Sequence, residues 1–408
     1  MSFTREKIRS GEKMTKYQRK VLLASLAGIA LENMDIMFLS FSLSSIIVSF
    51  GLNGSQAGMI ATITNLGMLI GGIIFGHIAD NYGRVRVFLY TVILISLACL
   101  LTYFSVNIYL MYLFRFIAGI GAGGEYGACM SLISETFPPE KVGRASSVAA
   151  MGSQLGAMLA ALFAALILPA LGWRMLFVVG VLPVGIVWYI RHDLKEAETF
   201  TQLKQIRAGS HLKDLFTDGR SSWQTVGLTA MVTVQIAGYF GLMNWLPSIM
   251  QERLGLSVAG SSLWMVSTIL GMSLGMLSFG MIMDKLGPRY SFAIFLIGSS
   301  LVVYLLVLAT NQLTLILAAI IVGFFINGMY GGYGAVISSL YPTYIKATAN
   351  NFIMNTGKAV GGFSAIFIGF LMDHYNLQVV IFYLSTIYLV SLVILLTLTG
   401  IKELKAEN

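Results

Sequence analysis

Gly76-His-Ile-Ala-Asp80-Asn-Tyr-Gly83-Arg84 recurs as Gly280-Met-Ile-Met-Asp284-Lys-Leu-Gly287-Pro288-Arg289, an offset of 204 residues from Asp80 to Asp284 in a chain of 408. Both copies close a long apolar run. The register holds on either side: Gly67 matches Gly271, Gly71 matches Gly275, Phe75 matches Phe279, Pro138 matches Pro342, and Gly51-Leu52 matches Gly255-Leu256. A register kept without gaps over this distance makes the chain two copies of one half.

Composition says what those halves are made of. Hydrophobic residues are 57% of the chain and charged residues 11%, against roughly 25% charged residues in soluble domains. Mean hydropathy is +0.80. Apolar runs of about 20 residues, the length that crosses a bilayer, cover 21–50, 57–79, 87–106, 109–134, 146–168, 173–190, 224–250, 258–281, 290–309, 313–340, 349–371 and 377–400. The expected fold is an all-α membrane protein with twelve transmembrane helices in two pseudo-symmetric six-helix bundles, 21–190 and 224–400. A cytoplasmic linker over 191–223 joins them, and segments 1–20 and 401–408 flank them. The first run is too long for the apolar part of a signal peptide and carries Glu32 and Asp35, so it is read as an uncleaved first helix. Duplicated halves of hydrophobic helices are the pattern of carriers that rock one half against the other.

Charge placement orients the chain. With both termini inside, only Arg174 and Arg253 of the 26 Lys and Arg residues fall outside, while Arg115 and Lys358 sit within spans. That asymmetry follows the positive-inside rule. The net charge of +8 is therefore topological, and nucleic acid is not an expected partner; the lipid bilayer is. The linker, with Arg191, Asp193, Lys195, Glu196, Glu198, Lys204, Arg207, Lys213 and Asp214, reads as a solvated tether, with a regulatory docking site as the alternative. Cys99 and Cys129 lie inside apolar runs, so neither a disulfide framework nor a metal site is expected. Gly119-x-Gly121-x-x-Gly124 fits a dinucleotide fingerprint but has no preceding strand, and close helix packing accounts for it. Gly357-Lys358 lacks the first glycine and the following Ser/Thr of a P-loop, which removes ATP as the driver. With no nucleophile, His cluster or metal set, an enzyme is not expected, nor is any cofactor beyond a proton gradient.

The motifs resemble those of the major facilitator superfamily. Gly76-x-x-x-Asp80-x-x-Gly83-Arg84-x-Arg86 resembles its signature loop between helices 2 and 3, and Arg115-x-x-x-Gly119-x-Gly121 its second motif. Within it, three pieces resemble the metabolite:proton symporter group, which carries organic acids and zwitterions: Ala24-Ser25-x-x-Gly28-x-x-x-Glu32-Asn33-Met34-Asp35; Gly123-Gly124-Glu125-Tyr126-Gly127 through Glu135-x-x-Pro138-Pro139 to Arg144; and Tyr341-Pro342-Thr343. The neighbouring sialate and aromatic-acid symporter groups share some of these. Asn33-Met34 departs from the group's aromatic pair, and Lys346 stands where its arginine is expected. The resemblance implies a prokaryotic inner-membrane carrier, expected as a monomer.

Buried charge carries the chemistry. A charged side chain at the centre of a spanning helix costs about 2.5–3.5 kcal/mol on insertion scales, so it faces a cavity or a partner. Glu32 and Asp35, three residues apart, lie about 4.5 Å apart along one face of the first helix. Two carboxylates this close form a coupled pair of the kind a reversible proton carrier needs; Asp35 is read as the main proton site with Glu32 as its coupled neighbour. The alternative is that they only pair with a basic residue on another helix. Lys358 falls roughly 15 Å into the eleventh helix. It is read as an ammonium for a substrate carboxylate, or as a bridge between the halves to Asp35 or Glu32. Arg115 resembles the superfamily arginine associated with proton coupling and would tune Asp35; a structural bridge is the alternative.

Asn33, Tyr126, Tyr239, Asn244, Asn327, Tyr330 and Asn355, with Phe240, Trp245 and Tyr333, occur in helices 1, 4, 7, 10 and 11, which line the path in the resembled fold; about half are expected to touch ligand. Asp80, Arg84, Glu125, Glu135, Arg144, Asp284 and Arg289 are assigned to gating or salt bridges, with a latch of Glu135 and Arg144 on Asp80 and Arg84; static helix-end stabilisation is the alternative. The 204-residue ruler shows where the halves differ: Asp35 against Tyr239, Glu125 against Met329, Gln154 against Lys358. The expected function is proton-coupled uptake of a small organic anion, a carboxylate. Zwitterion, osmolyte or sugar symport, anion exchange, drug efflux and a transporter-like sensor are the alternatives.

Overall fold

The computed structural model describes residues 14–181, 185, 211–254 and 258–404, with backbone alone over 241–254 and 258–266. Most of the expected linker (191–210), the start of the N-terminal segment and the last four residues lie outside the described residues. The described chain is helical, without strands.

The first four spans are α1 (Lys16–Phe50), α2 (Gly54–Tyr82), α3 (Arg84–Tyr103) and α4 (Ile108–Thr136). The fifth comprises α5 (Pro139–Ala150) and most of α6 (Gly152–Val179); Gly172, at φ +77°, breaks α6, and its last residues begin the sixth span. After a 3₁₀ turn (Leu212–Phe216) come α7 (Gly219–Leu254) and α8 (Val258–Leu286). The ninth span is α9 (Pro288–Val302) with α10 (Leu305–Leu308), and the tenth is α11 (Gln312–Gly328) with α12 (Tyr330–Leu340). The eleventh is α13 (Lys346–Gly362) with α14 (Ser364–His374), the twelfth α15 (Leu377–Thr397), and α16 (Thr399–Glu403) follows. We call the face bearing Lys16 and Leu404 the inner face.

Local chemistry sets these boundaries, and the duplication repeats it. Asn107 and Asn311, repeat mates, each accept the N3 amide of the helix they start, at 2.9 Å in both cases. Gly83 and Gly287, also mates, take φ of +121° and +81° at the corners between the second and third and the eighth and ninth spans, a conformation that only glycine adopts without strain. The tight corner in the twin motif thus explains its glycine.

Large apolar side chains cover the outside: Val48, Tyr109, Leu308 and Leu166 are more than 60% exposed, while Glu32, Asp35, Arg84, Arg115 and Glu125 are buried. A surface of this kind is stable only against lipid. Among the described residues, nine helical stretches are long and apolar enough to cross a membrane by themselves.

Several spans are less regular than an unbroken apolar run suggests. The fifth, tenth and eleventh break at Met151, Met329 and Phe363, each with an i→i+3 hydrogen bond: Gln154 N to Met151 O, 3.0 Å; Gly332 N to Met329 O, 3.0 Å; Phe363 N to Val360 O, 3.2 Å. Such 3₁₀ turns bend a helix, and two of these flank the central cavity described below.

Candidate functional site

The two carboxylates of α1 face different partners. Asp35 Oδ1 and Oδ2 each lie 3.0 Å from Arg115 Nη1 on α4, and Oδ1 also accepts from Cys99 Sγ on α3 at 2.8 Å. Arg115 Nη2 donates to Thr102 Oγ1 at 3.0 Å, and the guanidinium lies 4.8 Å from the Phe177 ring centroid. Every member comes from the first half, and Arg115 is fully buried. Glu32 Oε1 instead accepts from Lys358 Nζ on α13 at 3.0 Å, joining the first half to the second. Lys358 retains 20% side-chain exposure, against 4% for Glu32.

Lys358 lines a central cavity of about 100 Å³ with Asn33, Asn65, Ser153, Gln154, Asn327, Tyr239, Phe240, Tyr330 and the apolar Ile36, Met37, Met68 and Ile236. Pockets for drug-sized ligands run about 300–1,000 Å³, so this one suits only a small ligand. The amide oxygen of Asn33 is buried and has no hydrogen-bond partner among the described residues, and Gln235 Nε2 orients Asn327 by donating to its Oδ1 at 2.7 Å. The wall combines apolar and aromatic side chains with the amides of Asn33, Asn65, Gln154 and Asn327 and one cation, a composition that accepts a compact anion.

On the inner face the halves are locked together. Asp80, at the end of α2, accepts from the amides of Ala347 (3.1 Å) and Thr348 (2.8 Å) and from Thr348 Oγ1 (2.8 Å), so it caps the first turn of α13 in the other half. Its mate Asp284 accepts from the Arg144 amide at 3.2–3.3 Å and from that of Gly143, in the second turn of α5. Gly143 and Arg144 are the repeat mates of Ala347 and Thr348. The twin motif is therefore a pair of exchanged helix contacts. Arg84 ties Asp80 (3.2 Å) to Glu135 (3.1 Å) and donates to the Thr343 carbonyl. Beside them Lys346 Nζ donates to Ser134 Oγ at 3.4 Å. A larger cavity of about 750 Å³, lined in part by Lys346, Ser134, Glu140 and Asp284, lies between the halves on this face.

The expected residues sort accordingly. Lys358, Asn33, Tyr239, Asn327 and Tyr330 share the cavity. Tyr126 and Asn355 do not line it: the Tyr126 ring packs 6.0 Å from that of Tyr330, and Asn355 Nδ2 donates to Gly123 O at 2.8 Å because α13 crosses α4 closely there. The side chains of Asn244 and Trp245 lie outside the described residues. Of the gating set, Asp80, Arg84 and Glu135 meet as a cluster, but Arg144 pairs with Asp284 at 3.9 Å instead of joining them, since α5 abuts α8. Glu125 stands apart from the gate, buried mid-helix and lining a small void with Asp35, Ser96 and Cys99. Arg289 donates to the Leu396 carbonyl at 3.4 Å within its own half. Thr102, Asn65, Met37 and Met68 are ordinary span residues in the sequence, with no charge or motif to mark them, and Cys99 stands out there only as a cysteine within an apolar run. Gln154 was visible only as the mate of Lys358.

Comparison with known proteins agrees with this architecture. The Major Facilitator Superfamily family model matches residues 25–278 and 228–408. A Haemophilus influenzae protein named for metabolite transport is 38% identical over 412 residues, covering 97% of this chain and 98% of its own. The cis,cis-muconate transport protein of Acinetobacter baylyi is 29% identical over 357 residues, covering 86% of each chain. Among solved structures, the proton:xylose symporter XylE bound to 6-bromo-6-deoxy-D-glucose superposes with a TM-score of 0.75 at 16% identity, covering 92% of this chain and 94% of its own.

Proposed function

The chain belongs to the Major Facilitator Superfamily of transporters, and we propose that it is a proton-coupled uptake carrier for a small organic anion held by its carboxylate. One observation carries this reading: the 3.0 Å bond from Lys358 to Glu32 that joins the halves at the cavity wall.

Glu32 and a substrate carboxylate compete for the same ammonium. Protonation of Glu32 removes its charge and releases Lys358, which then binds the entering carboxylate. An unpaired buried ion costs several kcal/mol, so Lys358 keeps an anionic partner in every state that reorients. The empty site (Glu32 carboxylate with Lys358) and the loaded site (neutral Glu32, Lys358 with substrate) are both neutral. A site holding only the proton or only the substrate carries net charge and is penalised. That difference couples the two fluxes, one proton per carboxylate, without a cofactor. On the inside Glu32 loses its proton, reclaims Lys358 and displaces the substrate. Asp35, held by Arg115 and Cys99 inside one half, serves as a fixed anchor in this scheme, so the proton is assigned to Glu32. The muconate transport protein among the relatives fits an anionic substrate. The basic-residue asymmetry supports an inner-membrane location with cytoplasmic termini.

Reconstituted protein tests the assignment. Glu32→Gln is expected to exchange a bound organic anion across the membrane yet fail to accumulate it on a pH gradient; retained gradient-driven accumulation would move the proton elsewhere. Lys358→Ala is expected to weaken anion binding about 10- to 100-fold, the loss of one charge-assisted hydrogen bond. Unchanged affinity would remove the carboxylate role.

A further inference from the structure

One face of α13 carries more than Lys358. Ala347 and Thr348, Asn351, Asn355 and Lys358 recur at three- and four-residue spacing, so they form a single stripe. The first two give their amides to Asp80, and the last pairs with Glu32. Between them the two asparagines, both buried, reach the backbone of α4 in the other half. Gly127 N donates to Asn351 Oδ1 at 2.6 Å, Asn351 Nδ2 donates to Gly124 O at 3.2 Å, and Asn355 Nδ2 donates to Gly123 O at 2.8 Å. Close approach is built in. A Cβ on Gly72 of α2 would lie 2.3 Å from Asn355 Nδ2, one on Gly76 would lie 2.7 Å from Thr348 Cα, and one on Gly127 would lie 2.5 Å from the Ala347 carbonyl.

Gly127 N and Gly123 O are the two ends of one i→i−4 bond of α4. We propose that Asn351 and Asn355 form a reversible clasp that adds a second partner to both ends of this bond while the inner face is closed and releases them when it opens. Buried backbone groups must be satisfied in either state, and here they are: shared between α4 and the asparagines when α13 is docked, by α4 alone when α13 leaves. The asparagine amides then face the water-filled opening. The clasp therefore opens without leaving the helix backbone orphaned in the membrane, and it positions Tyr126, between the clasped glycines, 6.0 Å by its ring centroid from Lys358 Nζ. Gate and cavity are linked through one stretch of α4. The inference needs the rocking of the halves but neither proton coupling nor the carboxylate, so its failure leaves the proposed function standing.

Spin labels at Tyr82→Cys and Lys402→Cys, exposed inner-face positions in opposite halves, read the inner opening by electron double resonance. Asn351→Ala/Asn355→Ala is expected to raise the long-distance, inner-open population about tenfold, as the loss of two to three hydrogen bonds implies. Each single substitution should give a smaller rise and serves if the double variant does not insert. A lowered Tm with an unchanged distance distribution would make the asparagines merely structural and overturn the proposal. Amide hydrogen exchange over 123–128 should remain slow in the variant, because Gly127 N keeps Gly123 O within α4; fast exchange there would overturn the claim that α4 satisfies its own backbone when the clasp is released.

Discussion

Glu32 and Asp35 share a helix and a charge, yet their surroundings divide them. Three residues turn an α-helix through about 300°, which leaves the two side chains roughly 60° apart. That is enough to aim Asp35 at α3 and α4 and Glu32 at α13. Asp35 accepts from a guanidinium and a thiol in a sealed site, whereas Glu32 meets an ammonium that still touches the cavity. Sequence spacing puts both on one face and suggests a coupled pair; it does not show that each has its own cation. Removing Arg115 alone strands a buried charge at a cost of about 3–5 kcal/mol, so Arg115→Leu should sharply lower the unfolding temperature in detergent. Asp35→Asn/Arg115→Leu should recover most of the loss. A single variant as stable as the parent would contradict the anchor role of this pair.

The exchanged contacts of Asp80 and Asp284 belong to the scale of elements. The repeat conserves their positions and their backbone partners, but the helices they meet start at different points. Pro138-Pro139 starts α5 at Pro139, where proline suits the first helical position, while Pro342-Thr343 lacks the second proline and α13 starts only at Lys346. Asp80 thus finds first-turn amides with no intrahelical partner, and Asp284 finds second-turn amides already engaged, at longer distances. Arg144 adds little, being 57% exposed at 3.9 Å from Asp284. Asp80→Asn should therefore favour the inner-open state by about 1–2 kcal/mol, and Asp284→Asn by under about 1 kcal/mol. The same inner-face distance measurement reads both; equal shifts would mean that helix position is not what separates them. The motif was legible in the sequence, but its donors were not, because a helix start is settled by local capping and the docking of another half.

At the scale of the molecule, neutrality of the central site in its empty and loaded forms is what makes two fluxes one. Binding of a carboxylate ligand should then take up close to one proton, measurable by calorimetry in buffers of different ionisation enthalpy. Glu32→Gln should take up none, and equal uptake by parent and variant would place the proton on another group. A thermal-shift screen of organic acids, amino acids and sugars should show stabilisation by organic anions, since a ligand of the folded state stabilises by mass action. Sequence by itself determined the helical spans, the duplication and the mid-span charges, because bilayer-length apolar runs, a fixed offset and a charge among apolar neighbours are all local marks along the chain. Only the tertiary structure decided the partners. Glu32 and Lys358 are 326 residues apart and Asp35 and Arg115 are 80 apart, and no local pattern specifies such meetings. They arise from which helix faces pack together, and that packing sent Asn355 to the α4 backbone, kept Tyr126 behind the cavity wall and brought Asn65 and Gln154 into it.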